Sequence, residues 1–275
     1  MFDIAPGSTL AVLLKNAPLP PLETRILAGH ALHLSRVQLI TRADHAFTAD
    51  EAARLSALFA RRLQGEPIAY LTGQREFYGL DFEVTPAVLI PRPETELLVE
   101  LASEYLPQHG RMLDMGTGSG AIAVAVAHQC PDAVITALDA SHAALAIAQR
   151  NVQRHRAAVR LLQSDWYAAL GKEIFDLIVA NPPYIAQNDP HLAQGDLRFE
   201  PADALTDHGD GLAALRHIID GAKTHLTPNG WLLLEHGYDQ AATVRALLTA
   251  QSFDQVQSWQ DLAGIERVSG GCRPA

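Results

Sequence analysis

Cysteine is nearly missing from this chain: there are two, Cys130 and Cys272, far apart and without metal-ligand spacing. A disulfide framework or a zinc knuckle is therefore not expected, one bridge is the most the chain could form, and a reducing, cytoplasmic setting fits. Long apolar runs are lacking too. The longest, Gly120 to Ala127, falls well short of the ~20 residues that cross a bilayer. Met1 to Leu10 has no basic segment followed by an apolar stretch, so no signal peptide is expected. Positive charge is in short supply, with a formal net charge of -10. Residues 1–72 carry +1 and residues 73–275 carry -11. An acidic body is poor at neutralising phosphates, and no basic, aromatic-rich segment stands ready for a flipped base or a single strand. Direct nucleic-acid binding is therefore not expected. Metal sites are not expected either. His128, His191, His208 and His236 lack ligand spacing, and the turn Asp207-His208-Gly209-Asp210-Gly211 lacks the later Glu of a calcium loop.

What is present has a clear order. Leu22, Ile26, Leu27 and Leu34 follow helical spacing, as do Leu55, Leu58, Phe59 and Leu63. Thr48 and Glu51 form a capping-box pattern opening the second of these helices. Gly65, Pro67 and Gly73 break the pattern, and residues 76–90 are rich in β-branched and aromatic types, with Gly79 and Pro86 as turn points. Beyond them, strand candidates Arg111–Met115, Val134–Asp139, Val159–Leu162, Phe175–Ala180 and Trp231–Glu235 alternate with helical patterns. Ser141 is placed to cap a helix burying Leu145, Ala148 and Val152, and Leu212, Leu215, Ile219, Ala222 and Leu226 form another face. Alternating strands and helices predict an α/β fold with a doubly wound, mostly parallel sheet. The expected organisation is a helical domain over 1–72, a β-hairpin-like linker over 73–90, and the α/β domain over 91–275.

In such sheets ligands bind beyond the carboxyl ends of the strands, and three successive strand ends carry suitable groups. Asp114-Met115-Gly116-Thr117-Gly118-Ser119-Gly120 follows the first strand. Its glycines let a ligand lie against bare backbone. A loose dinucleotide pattern also fits, through Gly116, Gly118 and Ala121. Charge separates the two readings. A pyrophosphate favours a helix N-terminus free of carboxylates, whereas Asp114 precedes the glycines here. S-adenosylmethionine has no phosphate and carries a sulfonium and an ammonium group, which suit an acidic entrance. Asp139 ends the second strand, where a carboxylate can accept both ribose hydroxyls or simply cap the next helix. Asp165 and Trp166 close the third strand and offer an acceptor for an adenine amino group and a flat surface for the ring.

The fourth strand end is the most specific. Asn181-Pro182-Pro183-Tyr184 directly follows Phe175–Ala180. Neither proline has an N–H, and Pro182 holds Asn181 extended. The outcome is a rigid corner presenting the Asn181 side-chain carbonyl and backbone carbonyls, acceptors that match the two hydrogens of a planar NH2. An amide or aromatic amine nitrogen is a poor nucleophile because its lone pair is delocalised. Gripping both hydrogens directs that lone pair, and holding it in line with a methyl donor supplies the proximity effect. Tyr184 is placed to pack against the flat substrate group. An Asn-Pro turn that merely ends a strand is the blander alternative.

The glycine loop, Asp139, the tetrapeptide at Asn181–Tyr184, Phe77-Tyr78-Gly79 and Pro91-Arg92-Pro93-Glu94-Thr95-Glu96 together resemble the peptide-chain release factor glutamine methyltransferases, the PrmC or HemK family. The likeness spans nearly the whole chain. The tetrapeptide alone is shared with nucleic-acid amino-methyltransferases, whereas its combination with the other two segments is more specific. The resemblance implies a class I S-adenosylmethionine methyltransferase fold, a Rossmann-like seven-stranded sheet with its last strand antiparallel, preceded by a small N-terminal helical domain. It implies that Gly116, Thr117, Gly118, Ser119, Gly120, Asp139, Asp165, Trp166 and Asn181 bind S-adenosylmethionine, with S-adenosylhomocysteine as product. It further implies that Asn181, Pro182, Pro183 and Tyr184 hold a glutamine of a class I release factor, in a Gly-Gly-Gln loop, for N5-methylation. The N-terminal domain would dock that factor. Arg92, Glu94 and Glu96 are left without assigned roles. Alternatives from the residues alone are a ribosomal-protein glutamine methyltransferase, a DNA or RNA exocyclic-amine methyltransferase, a dinucleotide oxidoreductase and a non-catalytic module. The last two fit poorly with Asp114 and with the retained Asn181 and glycines.

Overall fold

Capping, breakers and apolar periodicity shape the two parts of the chain differently. A computed structural model describes residues 2–275 and divides the chain into two compact units, Met1–Gln74 and Arg75–Ala275. The first holds α1 (Leu10–Asn16), α2 (Pro21–Leu32), α3 (Arg36–Thr41), α4 (Ala49–Leu63) and α5 (Ile68–Thr72). The capping box forms as the spacing predicts. Thr48 Oγ1 accepts from the Glu51 N–H at 3.2 Å, and Glu51 Oε2 accepts from the Thr48 N–H at 2.9 Å. Asp50 and Glu51 in the first turn and Arg61 and Arg62 in the last complement the helix dipole. Leu55 and Phe59 of α4 are buried, but Leu63 is exposed. In α2 the buried stripe is Thr24, Leu27, Ala28, Ala31 and Leu32, while Leu22 and Ile26 face solvent. Apolar residues lie all round α2, so spacing alone does not say which stripe faces the core.

A hairpin, β1 (Gln74–Phe77) and β2 (Leu80–Glu83), precedes α6 (Glu96–Tyr105). Tyr78 and Gly79, both at positive φ, make the two-residue turn. Then follow β3 (Arg111–Met115), α7 (Ala121–Gln129), β4 (Val134–Asp139), α8 (His142–His155), β5 (Val159–Gln163), β6 (Phe175–Ala180), the single-turn α9 (Ala202–Leu205), α10 (Ala213–His225), β7 (Leu226–Glu235), α11 (Ala241–Ala250), β8 (Asp254–Gln260) and β9 (Glu266–Cys272). The seven-stranded sheet has the order β5-β4-β3-β6-β7-β9-β8, and β9 runs antiparallel to both its neighbours. Both faces are covered, which explains the unbroken apolar strands. Met112, Leu177, Val179 and Leu233 enter one core cluster, while Leu113, Met115, Ile178, Ala180 and Leu234 enter the other.

Several elements differ from the sequence expectation. β7 begins at Leu226 rather than Trp231, with an irregularity in its pairing to β6 between Phe175 and Leu177. Within α8, Ala148 and Val152 are buried but Leu145 is only partly so; Ala144 and Ile147 complete the face. Ser141 caps it, accepting from the Ala144 N–H. The site follows from topology. Chain order reverses between β3 and β6, the switch point at which open α/β sheets bind ligands. Met115 is the register partner of both Leu138 and Ala180. The glycine loop, Asp139 and Asn181 therefore leave the sheet at one level, side by side.

Candidate active site

A cavity of about 550 Å3 opens beyond these strand ends, within the range of small-molecule sites, ~300–1,000 Å3. Gly116, Thr117, Gly118, Ser119, Asp139, Asp165, Trp166, Asn181 and Pro183 line it. Gly120, Pro182 and Tyr184, also expected at the site, do not. Gly120 caps α7 at φ 82°, and a Cβ there would press on Ala148 at 3.3 Å, so this glycine serves helix packing. Pro182 is buried. Tyr184 turns into the molecule, its hydroxyl donating to Glu235 Oε1 at a long 3.4 Å.

The loop is built from the β4 end. The Gly116 and Thr117 N–H groups both donate to the Leu138 carbonyl at 2.9 Å. Asp139 then closes it: Oδ2 accepts from the Gly118 N–H at 2.9 Å and Oδ1 from the Ser141 N–H at 2.8 Å. Capping and loop-holding thus coexist in one carboxylate, which the Ala140 N–H also approaches. Burial pushes this carboxyl's pKa up, opposed by its N–H donors. The buried Asn151 was not singled out from the sequence, but it stitches the loop down from behind. Its Nδ2 donates to the Ser119 and Glu83 carbonyls, and its Oδ1 accepts from the Glu83 N–H.

Asp114 stands elsewhere than the sequence argument placed it. It does not line the cavity. It is fully buried behind the loop, with Oδ2 accepting from the Thr117 hydroxyl at 2.6 Å and Oδ1 unpartnered. Burial pushes its pKa up to about 7. The acidic lining comes instead from Asp139, Asp165 and Asp203. Arg92 also lines the cavity, but its guanidinium is paired with the buried Glu200. Glu200 also accepts from the Ile90 N–H at 3.0 Å and so ties together two segments of the rim. A lining with three carboxylates and one already paired cation suits a cationic ligand.

The corner at Asn181 is held by residues far away in sequence. Asn181 Nδ2 donates to Thr95 Oγ1 at 3.1 Å, which leaves Oδ1 as the accepting end. Gln240 Nε2 donates to the Tyr184 carbonyl at 3.0 Å and to the Gly211 carbonyl at 3.2 Å. The turn at 207–211 is held together by its aspartate: Asp207 accepts from the N–H groups of Gly209, Gly211 and Ala213. Gly211, at φ 78°, lies so close to the Tyr184 carbonyl that a Cβ could not fit.

Comparison with known proteins gives the family and the fold. A family model for the PrmC N-terminal domain matches residues 9–73, and one for the methyltransferase small domain matches residues 93–213. The release factor glutamine methyltransferase of Burkholderia pseudomallei is 57% identical over 97% of this chain and 97% of its own. The chain belongs to the release factor glutamine methyltransferase family. That of Bordetella pertussis is also 57% identical, over 94% of this chain and 97% of its own. A methyltransferase from Pyrococcus furiosus shares the fold, with a TM-score of 0.56 at 21% identity over 80% of this chain and 100% of that one.

For a member of this family, the two other recognised segments acquire structural roles. Glu96 Oε1 accepts from the Tyr78 N–H at 3.0 Å, so the second glutamate of Pro91–Glu96 pins the turn of Phe77–Gly79. Arg92 bonds Glu200, Thr95 bonds Asn181, and Glu94 is exposed. Among the described residues no helix is long and apolar enough to cross a membrane.

Proposed function

We propose that this chain transfers a methyl group from S-adenosylmethionine to the side-chain nitrogen of the glutamine in the Gly-Gly-Gln loop of class I peptide-chain release factors, tuning translation termination. The convergence of the glycine loop, Asp139 and Asn181 on one acidic cavity carries this reading. The residues present suit the cofactor. The Asp139 carboxylate, which lines the cavity, has accepting capacity beyond its backbone N–H donors for the ribose hydroxyls, and the exposed Asp165 and the Trp166 ring suit an adenine. Bare backbone at Gly116 and Gly118 allows close approach of the amino-acid portion. When bound, the cofactor supplies an electrophilic methyl group on a sulfonium.

The protein's own work is orientation. Asn181 Oδ1 and a corner carbonyl accept the two amide hydrogens of the substrate and aim the nitrogen lone pair along the transfer axis. The Tyr184 carbonyl already accepts from Gln240, so a carbonyl earlier in the corner is read as the second acceptor. As the N–C bond forms, the bond between that methyl and sulfur would break to leave a neutral thioether, and one of the two gripped hydrogens would pass to water as a proton. Fixed acceptors already face the nitrogen as it gains positive charge, so no strong base is required. The first unit is read as the docking element for the folded factor; its exposed Val37 and Ile40 offer apolar surface. The test is tandem mass spectrometry of release factor incubated with this protein and S-adenosylmethionine, with ribosomes and DNA in parallel. One added methyl on the Gly-Gly-Gln glutamine is expected. Label on nucleic acid or a ribosomal protein alone would move the function to another acceptor.

A further inference from the structure

Asn181 has an ambiguity that the reaction cannot tolerate. The two ends of a side-chain amide are nearly the same shape, yet only the carbonyl end accepts from a substrate NH2; a flipped amide would set donors against donors. Thr95 Oγ1, which receives Nδ2, does not settle the matter alone. A hydroxyl has one hydrogen and two lone pairs, and it could equally donate to Oδ1 of the flipped amide. What decides is where the Thr95 hydrogen goes.

The sheet supplies the answer. Ala180 and Leu234 are register partners on adjacent parallel strands, so Asn181 and Glu235 are the next residues of each. Ala180 and Leu234 both enter the core cluster on one face. Alternation sends Asn181 and Glu235 to the opposite side, the face covered by α6, whose N-cap residue is Thr95. Glu235 is buried there, beside the Thr95 hydroxyl, and its Oε1 takes the Tyr184 hydroxyl. Its Oε2 has no hydrogen-bond partner among the described residues, so it is the acceptor open to the Thr95 hydrogen. Leu232, Leu233 and Leu234 precede it, and a fourth apolar residue would fill the place without burying an unmatched acceptor. Costly buried acids of this kind concentrate at functional sites.

We propose that Glu235 is a positioning residue for the methyl transfer: by accepting the Thr95 hydrogen it obliges Thr95 to receive Asn181 Nδ2, and so keeps Asn181 Oδ1 facing the substrate nitrogen. Glu235 does not line the cavity; in this role it acts through Thr95 and Asn181, apart from its long bond to the Tyr184 hydroxyl. The inference rests on the role proposed for Asn181.

Glu235→Gln nearly preserves shape but lets an Nε2 donor face Thr95, freeing the hydroxyl to bind a flipped amide. Thr95→Val removes the hydroxyl at constant shape, and Thr95→Ser restores it. With full-length protein and intact release factor, Glu235→Gln and Thr95→Val each lower kcat about tenfold, the lower end for supporting-shell changes. S-adenosylmethionine affinity by calorimetry stays within about twofold, because the cofactor contacts are untouched. Thr95→Ser retains most of the wild-type kcat. In the Thr95→Val background, Glu235→Gln has no further effect, since the relay is already cut. Wild-type kcat in Glu235→Gln, additive losses in the double variant, or an equal fall in cofactor affinity would each overturn the assignment while leaving the proposed function intact. Absence of glutamine methylation by the wild-type protein would instead remove the function and this inference together.

Discussion

The two halves of the cavity are built by different means. The half proposed for the cofactor is assembled from short-range pieces: a glycine loop and an aspartate 21 residues further on, joined by one N–H bond. The half proposed for the substrate is a four-residue corner held from a distance. Thr95 lies 86 residues before Asn181, and Gln240 lies 56 residues beyond Tyr184. The first half draws on the consecutive β3–β4–β5 stretch, with Asn151 of α8 and its partner Glu83 behind the loop. The second is complete only when α6, the turn at 207–211 and the segment after β7 are all in place. Backbone conformation can shape a surface for a ligand, but an acceptor that must point one way needs side-chain partners, and those come from wherever the fold brings them.

The comparison is sharpened by breaking each half separately. Asn181→Ala removes one acceptor from the reacting nitrogen. Turnover should fall by ~10²–10³-fold, the usual cost of deleting one preorganised transition-state contact, while cofactor affinity changes far less. Calorimetry and steady-state kinetics read both, and parallel losses would remove the division between the halves. Asp139→Ala is the converse. Cofactor Kd should rise ~10–100-fold, as expected for losing charge-assisted hydrogen bonds, with most of kcat recovered at saturating cofactor. Unchanged affinity would rule out the ribose contact.

Gly211→Ala tests the distant support without touching either ligand. A Cβ there meets the Tyr184 carbonyl, and the left-handed backbone adds strain. About a tenfold loss of kcat with intact cofactor binding is expected, since small misplacements of reacting groups are costly. Loss of cofactor binding to the same degree would show that the halves are mechanically one. The smallest effect concerns Asp114, whose pKa is raised from 3.8 to about 7. A carboxyl with a raised folded-state pKa favours the fold fully below its unfolded pKa, and loses that contribution as pH rises through the folded one. Asp114→Asn does not titrate. Its thermal midpoint relative to wild type should therefore climb between pH 4 and 7 and level off above; a constant difference would contradict the buried, unmatched carboxyl.

Much of this could be read along the chain. The edges of β3, β4 and β6 coincide with apolar runs that end at Asp114-Met115-Gly116, Asp139 and Asn181, because strands covered on both faces are continuous in sequence. β8 and β9 were not placed by pattern. Their residues, Asp254–Gln260 and the glycine-containing Glu266–Cys272, are largely polar, and their strand character comes from pairing, β9 with β7 and β8 with β9. Glu235 resembled the last residue of an apolar strand, and Asp207–Gly211 a loose turn; nothing local marks either as support for Asn181. Asp114 reads in sequence as part of an acidic entrance, but Asp139, Asp165 and Asp203 provide it.

By itself, then, the sequence determined the fold class, the positions of the strand ends and the residue types waiting there, since these follow from local periodicity, breakers and hydrogen-bonding capacity. Only the tertiary structure decided which of those residues share a cavity and which end of Asn181 faces it. It also turned Tyr184 inward and Gly120 toward a helix. The reason is that register between β3, β6 and β7 and the direction of each hydrogen bond are properties of paired segments, and no single segment carries them.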